Sequence, residues 1–224
     1  MKFVFPLVLL TLAACTPKDP TVGGGPVTDE ITRGGRYNLR IGSPPATVYA
    51  RLQALGLEKT FDRINVAART PYGHPTDLPV PLGNYDVLTL ETTTGRTDRV
   101  VLQFTDQIVD VIERGGGRLD SIPQWPAALP ASQAVVLGDS LTTLVPKLTE
   151  LYREEPYASY ALILPDKPLD RPYDPAMGSY NVWNFTFSED RDAGVTERHN
   201  VSLRFAAGEL DVIRVTRERF ERVH

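Results

Sequence analysis

The chain carries one serine in a setting where serines do chemistry. Ser140 follows Gly138 and Asp139 and precedes Leu141 in the stretch VVLGDSLTTLV, residues 135–145. A serine in such a turn becomes a nucleophile when a histidine takes its proton, a third group orients that histidine, and N–H donors hold the oxyanion. Downstream of Ser140 stand His199, with Thr196 three residues before it, and His224, with Glu221 three residues before it. The third histidine is His74. No pair has metal-ligand spacing, so all three read as solvated surface side chains and no metal or cofactor is expected. The other reactive residue is Cys15, the single cysteine, which excludes an intrachain disulfide.

The elements that would position these groups belong to a chain of 224 residues, enough for one large domain or two small ones. It is 42% hydrophobic and 23% charged, the balance of a folded domain. The formal net charge is −4, which argues against a sequence-independent nucleic-acid binder, since that needs a basic face. At the N-terminus, Met1-Lys2 is followed by an apolar run, Phe3 to Leu12, broken only by Pro6 and Thr11. The run is far short of the roughly 20 residues that span a bilayer, and it fits the apolar region of an export signal.

Leu12-Ala13-Ala14-Cys15 resembles the lipobox of bacterial lipoproteins. The resemblance implies cleavage of a 1–14 signal peptide and a thioether-linked lipid on Cys15. The partner on that side is a membrane, reached without a transmembrane helix. Thr16 stands where an Asp would resemble an inner-membrane retention signal, so a Gram-negative cell envelope would carry the protein at its outer membrane. Residues 15–35, rich in Pro, Gly, Thr and charge, read as a flexible tether.

The rest contains an internal repeat. LRIGSPPATVYARLQALG (39–56) aligns with VVLGDSLTTLVPKLTELY (135–152), GNYDVLTLETT (83–93) with GSYNVWNFTFS (178–188), and LQFTDQIVDVI (102–112) with LRFAAGELDVI (203–213). In each copy a helix presents one apolar stripe, Val48, Leu52 and Leu55 or Leu144, Leu148 and Leu151. Alternating strands follow, with Leu88 and Leu90, then Val100, Leu102 and Phe104, then Val109 and Val111, pointing inward. Their counterparts are Trp183 and Phe185, then Val201, Leu203 and Phe205, then Leu210 and Val212. Residues 61–68 and 157–164 read as further short strands. The expected fold is α+β, two tandem repeats at 36–113 and 133–224, each a helix packed on an antiparallel meander. A Gly- and Pro-rich linker, 114–132, joins them, with Trp125 docked on a domain surface. Matched Asp110 and Asp211, and matched Tyr85 and Tyr180, read as constraints of a shared fold.

The helix-plus-meander unit, closing on FTDQIVDVI (104–112) or FAAGELDVI (205–213), resembles the small lipoproteins of the outer-membrane assembly machinery and the β-lactamase-inhibitory-protein-like domains. That implies protein binding without catalysis. Gly138-Asp139-Ser140-Leu141 resembles the motif of the Gly-Asp-Ser-Leu esterases. That family also carries an Asp-x-x-His near its C-terminus and a Gly-x-Asn-Asp block, neither of which occurs here. The repeat offers another reading of Ser140. Gly138-Asp139-Ser140 falls on Gly42-Ser43-Pro44, so both stretches start helices. Ser43 would cap the first, with Pro44 at its first position, and Asp139 the second. Pro146 then sits inside the second helix, which kinks there or starts later on Thr142 or Thr143.

Two Pro-rich loops occupy the same place in each copy, TPYGHPTDLPVPLG (70–83) and PDKPLDRPYDPAMG (165–178). Tyr72, Leu78, Tyr173 and Met177 are their candidate binding anchors, and the alternative is that they pack back on their own sheets. The expected function is that of an exported, lipid-anchored, non-catalytic envelope protein that binds a protein partner. The alternatives are an esterase using Ser140 and a module that binds a small ligand between its domains.

Overall fold

Two apolar stripes and two sets of alternating strands can be combined in more than one way, and the computed structural model settles how. It describes residues 25–78, 81–191 and 194–221. The lipobox and Cys15 lie outside the described residues, as does His224. The chain runs through strands β1 (Val27–Ile31), β2 (Gly35–Arg36) and β3 (Leu39–Arg40), helix α1 (Pro45–Lys59) and strand β4 (Arg63–Val66). A meander follows, β5 (Val87–Thr92), β6 (Arg99–Thr105) and β7 (Ile108–Gly115), then the short strands β8 (Asp120–Ser121), β9 (Gln124–Trp125) and β10 (Val135–Val136). Helix α2 (Leu141–Leu151) leads to β11 (Tyr160–Ile163) and β12 (Lys167–Pro168). The chain closes on a second meander, β13 (Val182–Asp190), β14 (Val195–Ala206) and β15 (Glu209–Glu221). Among the described residues the fold is α+β, with two α-helices and four antiparallel sheets.

The expected packing of each helix on its own meander is not what forms. One sheet runs β11-β5-β6-β7-β8 and the other β1-β15-β14-β13-β4-β12. The strand after each helix thus joins the other half's meander: β4 pairs with β13, and β11 with β5. The helices cross in the same way. Val48, Leu52 and Leu55 of α1 bury against Trp183, Phe185, Leu203 and Val215 in one core. Leu144, Leu148 and Leu151 of α2 bury against Leu88, Leu102, Ile112 and Trp125 in the other. The first core draws on residues before 67 and after 168, the second on residues from 82 to 164. The buried packing therefore does not divide at the 114–132 segment. That segment belongs to the second core, where Trp125 is buried with Tyr157 and Tyr160 edge-on to it. An amphipathic stripe specifies that a helix must be covered but not which sheet covers it. The long Pro-rich loops give the chain the reach to cross.

The turns into both helices repeat the crossing. Gly42 donates to the Leu210 carbonyl and Leu210 donates back to Ser43 (2.8 and 2.9 Å). Gly138 donates to the Val109 carbonyl and Val109 donates back to Asp139 (both 2.8 Å). Both glycines have positive φ, +85° and +90°, where a Cβ is strained. The capping residues differ from expectation by one position. Pro44, not Ser43, precedes the first turn of α1, and Ser140, not Asp139, caps α2 through the Thr143 N–H. The helix then runs through Pro146. In both closing hairpins a β-bulge falls on the matched aspartate. Gln103 opposes Val111 and Phe104 opposes Val109, leaving Asp110 as the extra residue, and Asp211 is left over in the same way. The bulges turn Ile112 and Ile213 fully inward, while Val111 is only half-buried.

The tether expected over 15–35 ends sooner. Val27–Ile31 forms β1 along β15, and charge pairs across the two strands compensate its modest apolarity. Asp29 meets Arg217 at 2.8 Å and Arg36 at 2.9 Å, and Glu30 meets Arg214 at 2.8 Å.

Crossed packing makes a prediction, because each core holds one tryptophan. Leu52→Ala should destabilise the fold by about 2–5 kcal/mol. It should also shift the native emission of Trp183, measured in a Trp125→Phe background, and leave that of Trp125 unchanged. Leu148→Ala should do the reverse. Emission changes at the tryptophan on the other side would contradict the crossing.

Candidate functional sites

Ser140 is held by its own helix. Its hydroxyl accepts from the Thr143 N–H (3.3 Å) and hydrogen-bonds the Thr142 and Thr143 hydroxyls at 2.7 and 3.0 Å. Asp139 accepts from the Val136 N–H (2.9 Å) and forms an ion pair with Lys147 at 2.9 Å. His199 is on the other sheet, and contrary to the surface reading it is buried. It stacks on Phe187 with ring centroids 4.6 Å apart, and its Nδ1 shares a 2.9 Å hydrogen bond with the Tyr37 hydroxyl. Burial pushes its pKa below the usual imidazole value, against the pull of Glu189 and Glu197. Burial opposes ionisation of Glu197 as well, but hydrogen bonds from Arg219 and Arg191 bring its pKa down to about 2. The alternation that turns Val201, Leu203 and Phe205 inward continues back through His199 to Glu197. His74 is half-buried, edge-on to Tyr152. Among the described residues no group of three or more His, Cys, Asp or Glu side chains is arranged to hold a metal ion.

The two Pro-rich loops are the crossovers between the cores, and they pack there instead of offering free anchors. Met177 is completely buried in the first core, and Tyr173 is half-buried against it. Tyr72 and Leu78 are half-buried against the second core, and Tyr72 exchanges two 2.8 Å backbone hydrogen bonds with Leu162. The loops are apolar enough to be covered, and each closes on a short 3₁₀ turn before its Tyr85 or Tyr180.

Between them lies a buried polar network. Arg69 and Asp174 form an ion pair at 2.6 Å with side chains 4% and 0% exposed. Tyr85 donates to the same Asp174 oxygen at 2.5 Å and accepts from Arg69. Burial and the bond to the carboxylate push the Tyr85 phenol up. Lys167 is fully buried over the rings of Tyr49 and Tyr85, and donates to the carbonyls of Asn84 (2.9 Å) and Pro168 (3.1 Å). Helix α1 grips the second loop directly. Tyr49 donates to Pro168 and Arg171 carbonyls at 2.7 and 3.0 Å, and Gln53 to the Leu169 carbonyl at 2.7 Å.

Beside this network the junction opens into a groove. Its larger part is a cavity of about 1110 Å³ against the C-terminal half of α1, the start of β4 and residues 168–170. A second part of about 330 Å³ lies towards the β6–β7 hairpin, with Arg63 and Asp86 lining both. The floor is apolar, formed by buried Leu169 and half-buried Phe61, with exposed Ala54 and Leu57 at the rim. Leu57 is 87% exposed, off the buried stripe of its helix. Gly56 lets α1 end here, since a Cβ would lie 2.5 Å from the Phe61 carbonyl oxygen and 2.8 Å from Leu169. Sequence patterns did not single out this groove, although an apolar residue outside the helix stripe was a visible signal.

Burial pushes the Lys167 pKa down to about 8, against the pull of Asp174, Asp170 and Asp86. An unfolded lysine titrates near 10.4. Between these values the unfolded chain binds more protons than the folded one, so stability rises with pH. Tyr85 and Tyr49, whose phenols are pushed up, act in the opposite direction only above about pH 10. Urea midpoints should therefore show a gain of roughly 1–2 kcal/mol between pH 7.5 and 9.5, absent from Lys167→Met. An equal gain in the variant would contradict this placement of the ammonium.

No protein-family model, curated protein or solved structure matches this chain, so its functional reading rests on these sites and on the sequence.

Proposed function

We propose that this chain is an exported, lipid-anchored protein of the cell envelope that acts by binding another protein and not by catalysis. The observation that carries the binding role is the open junction groove with Leu57 standing 87% exposed over its apolar floor. A large apolar side chain beside a concave surface is the arrangement that interfaces use as an anchor. The capping bonds of Ser140 support a structural role for the Gly-Asp-Ser-Leu stretch. The address rests on the lipobox-like Leu12-Ala13-Ala14-Cys15, with Thr16 favouring an outer membrane. Among the described residues no helix is long and apolar enough to cross a membrane. From Cys15 to Val27 the chain can span at most roughly 40 Å, so the lipid would hold the folded body close to the bilayer.

The two halves are read as copies of one helix-and-meander unit that exchanged their helices. The matched glycine turns and matched bulges at Asp110 and Asp211 support this reading, as does the strand order β7-β6-β5-β11 beside β15-β14-β13-β4.

Two measurements test the proposal. Cys15→Ser should abolish partition of the full chain into the detergent phase with membranes, and a variant that still partitions would contradict the anchor. A photo-crosslinking amino acid at position 57 should give a discrete protein adduct in cells. The same probe at Arg118, whose side chain is 92% exposed, should give none. Equal or absent adducts at the two positions would contradict the groove as the binding surface.

A further inference from the structure

The groove has a charge as well as a shape. Its two parts are lined by five aspartates, Asp62, Asp86, Asp106, Asp110 and Asp170, and by two arginines, Arg63 and Arg171. Both arginines are engaged within the groove. Arg63 donates to Asp62 at 3.1 and 3.2 Å, and Arg171 to Asp86 at 3.2 Å. The lining thus keeps an excess of negative charge, with Asp62, Asp86 and Asp170 in the part that holds the apolar floor and Asp106 and Asp110 in the other. Asp62 and Asp170 have side chains 79% and 72% exposed, so they face solvent in the same lining as Leu57 and Phe61.

We infer that the groove takes an extended basic segment of a partner protein, with apolar side chains between Leu57 and the Phe61–Leu169 floor and Lys or Arg side chains against the aspartates. This rests on the reading of the groove as the binding surface and adds the chemistry of its occupant. A segment of about eight extended residues covers roughly 26 Å and directs alternate side chains to opposite faces. A second copy of the chain fits less well, because the chain itself is acidic, with a net charge of −4. Opposite charge at the rim supplies partner choice and encounter rate, while the apolar contact supplies most of the affinity.

The probe is a fluorescein-labelled octapeptide alternating Leu and Arg, titrated with the full chain by fluorescence anisotropy. The control has Glu in place of Arg. The Arg peptide should bind and the Glu peptide should not. Asp62→Asn with Asp170→Asn should weaken binding about fivefold, and Leu57→Ser about tenfold or more. Raising the salt concentration tenfold should weaken the wild-type complex and affect the double-Asn variant less. All three substituted side chains are exposed, and circular dichroism should show the variants folded. If both peptides bind alike and only Leu57→Ser weakens them, the groove binds but the basic occupant is wrong. If the Arg peptide binds with full affinity to every variant, or if neither peptide binds, the groove reading falls with it.

Discussion

Arg69 and Asp174 meet where both crossing loops pass between the cores, and the rest of the architecture depends on their being able to do so. Neither side chain is left to water. An ion pair taken out of water needs its remaining valences satisfied, or its desolvation outweighs its attraction. Tyr85 meets most of that need by donating to the carboxylate while accepting from the guanidinium, and the Ala176 N–H occupies the other carboxylate oxygen at 2.9 Å, which leaves the Arg69 Nε as the one buried polar atom of the pair without a hydrogen bond. The partners come from different places. Arg69 follows β4, Tyr85 precedes β5, and Asp174 precedes β13. The network can close only when both meanders and both crossings are in place. It therefore rewards the exchanged arrangement specifically, where apolar burial alone would accept either pairing of helix and sheet.

This accounts for what could be read from the sequence. The stripes Val48–Leu52–Leu55 and Leu144–Leu148–Leu151 and the meander strands are local features with a period, and they form where expected, except that the bulge at Asp110 turns Ile112 inward in place of Val111. Short strands also form at 63–66 and 160–163, within the expected 61–68 and 157–164. The partner of each stripe is a non-local fact with no period. Met177 and Tyr173 lie in a loop whose composition suggests exposure, yet the loop enters the first core and both side chains pack there. Val27–Ile31 follows a Gly-rich run and carries two acids in five residues. Its ladder with β15, the packing of Ile31 on the first core and the arginines of β15 and the β2–β3 hairpin, all far away or across a turn, hold it as a strand. His199 lies in a charged stretch, and only its register in β14 places it inside.

The same crossing shapes the proposed binding surface. Because α1 belongs to one core and Asp86 to the other, the space beside the network is bounded by both and cannot be built by either half alone. Helix α1 ends at Lys59 with Thr60 as its left-handed cap, Gly56 lets Phe61 and Leu169 approach closely, and Leu57 faces outward off the buried stripe. Helix α2 starts on Ser140 in a turn docked to the Val109 hairpin, which gives that serine a structural task. Binding at the junction would thus be coupled to the integrity of the whole fold.

The most direct test is to remove one charge of the network and ask whether the cores still unfold together. Thermal unfolding would be followed at Trp125 and at Trp183 separately, in Trp183→Phe and Trp125→Phe backgrounds, with and without Asp174→Asn. With Asp174 present, the two transitions should coincide. In Asp174→Asn, the unpaired Arg69 should destabilise the junction by about 3–5 kcal/mol and the two transitions should separate. Transitions that stay coincident and unshifted in Asp174→Asn, or that are already separate with Asp174 intact, would contradict the network as the link on which the fold depends.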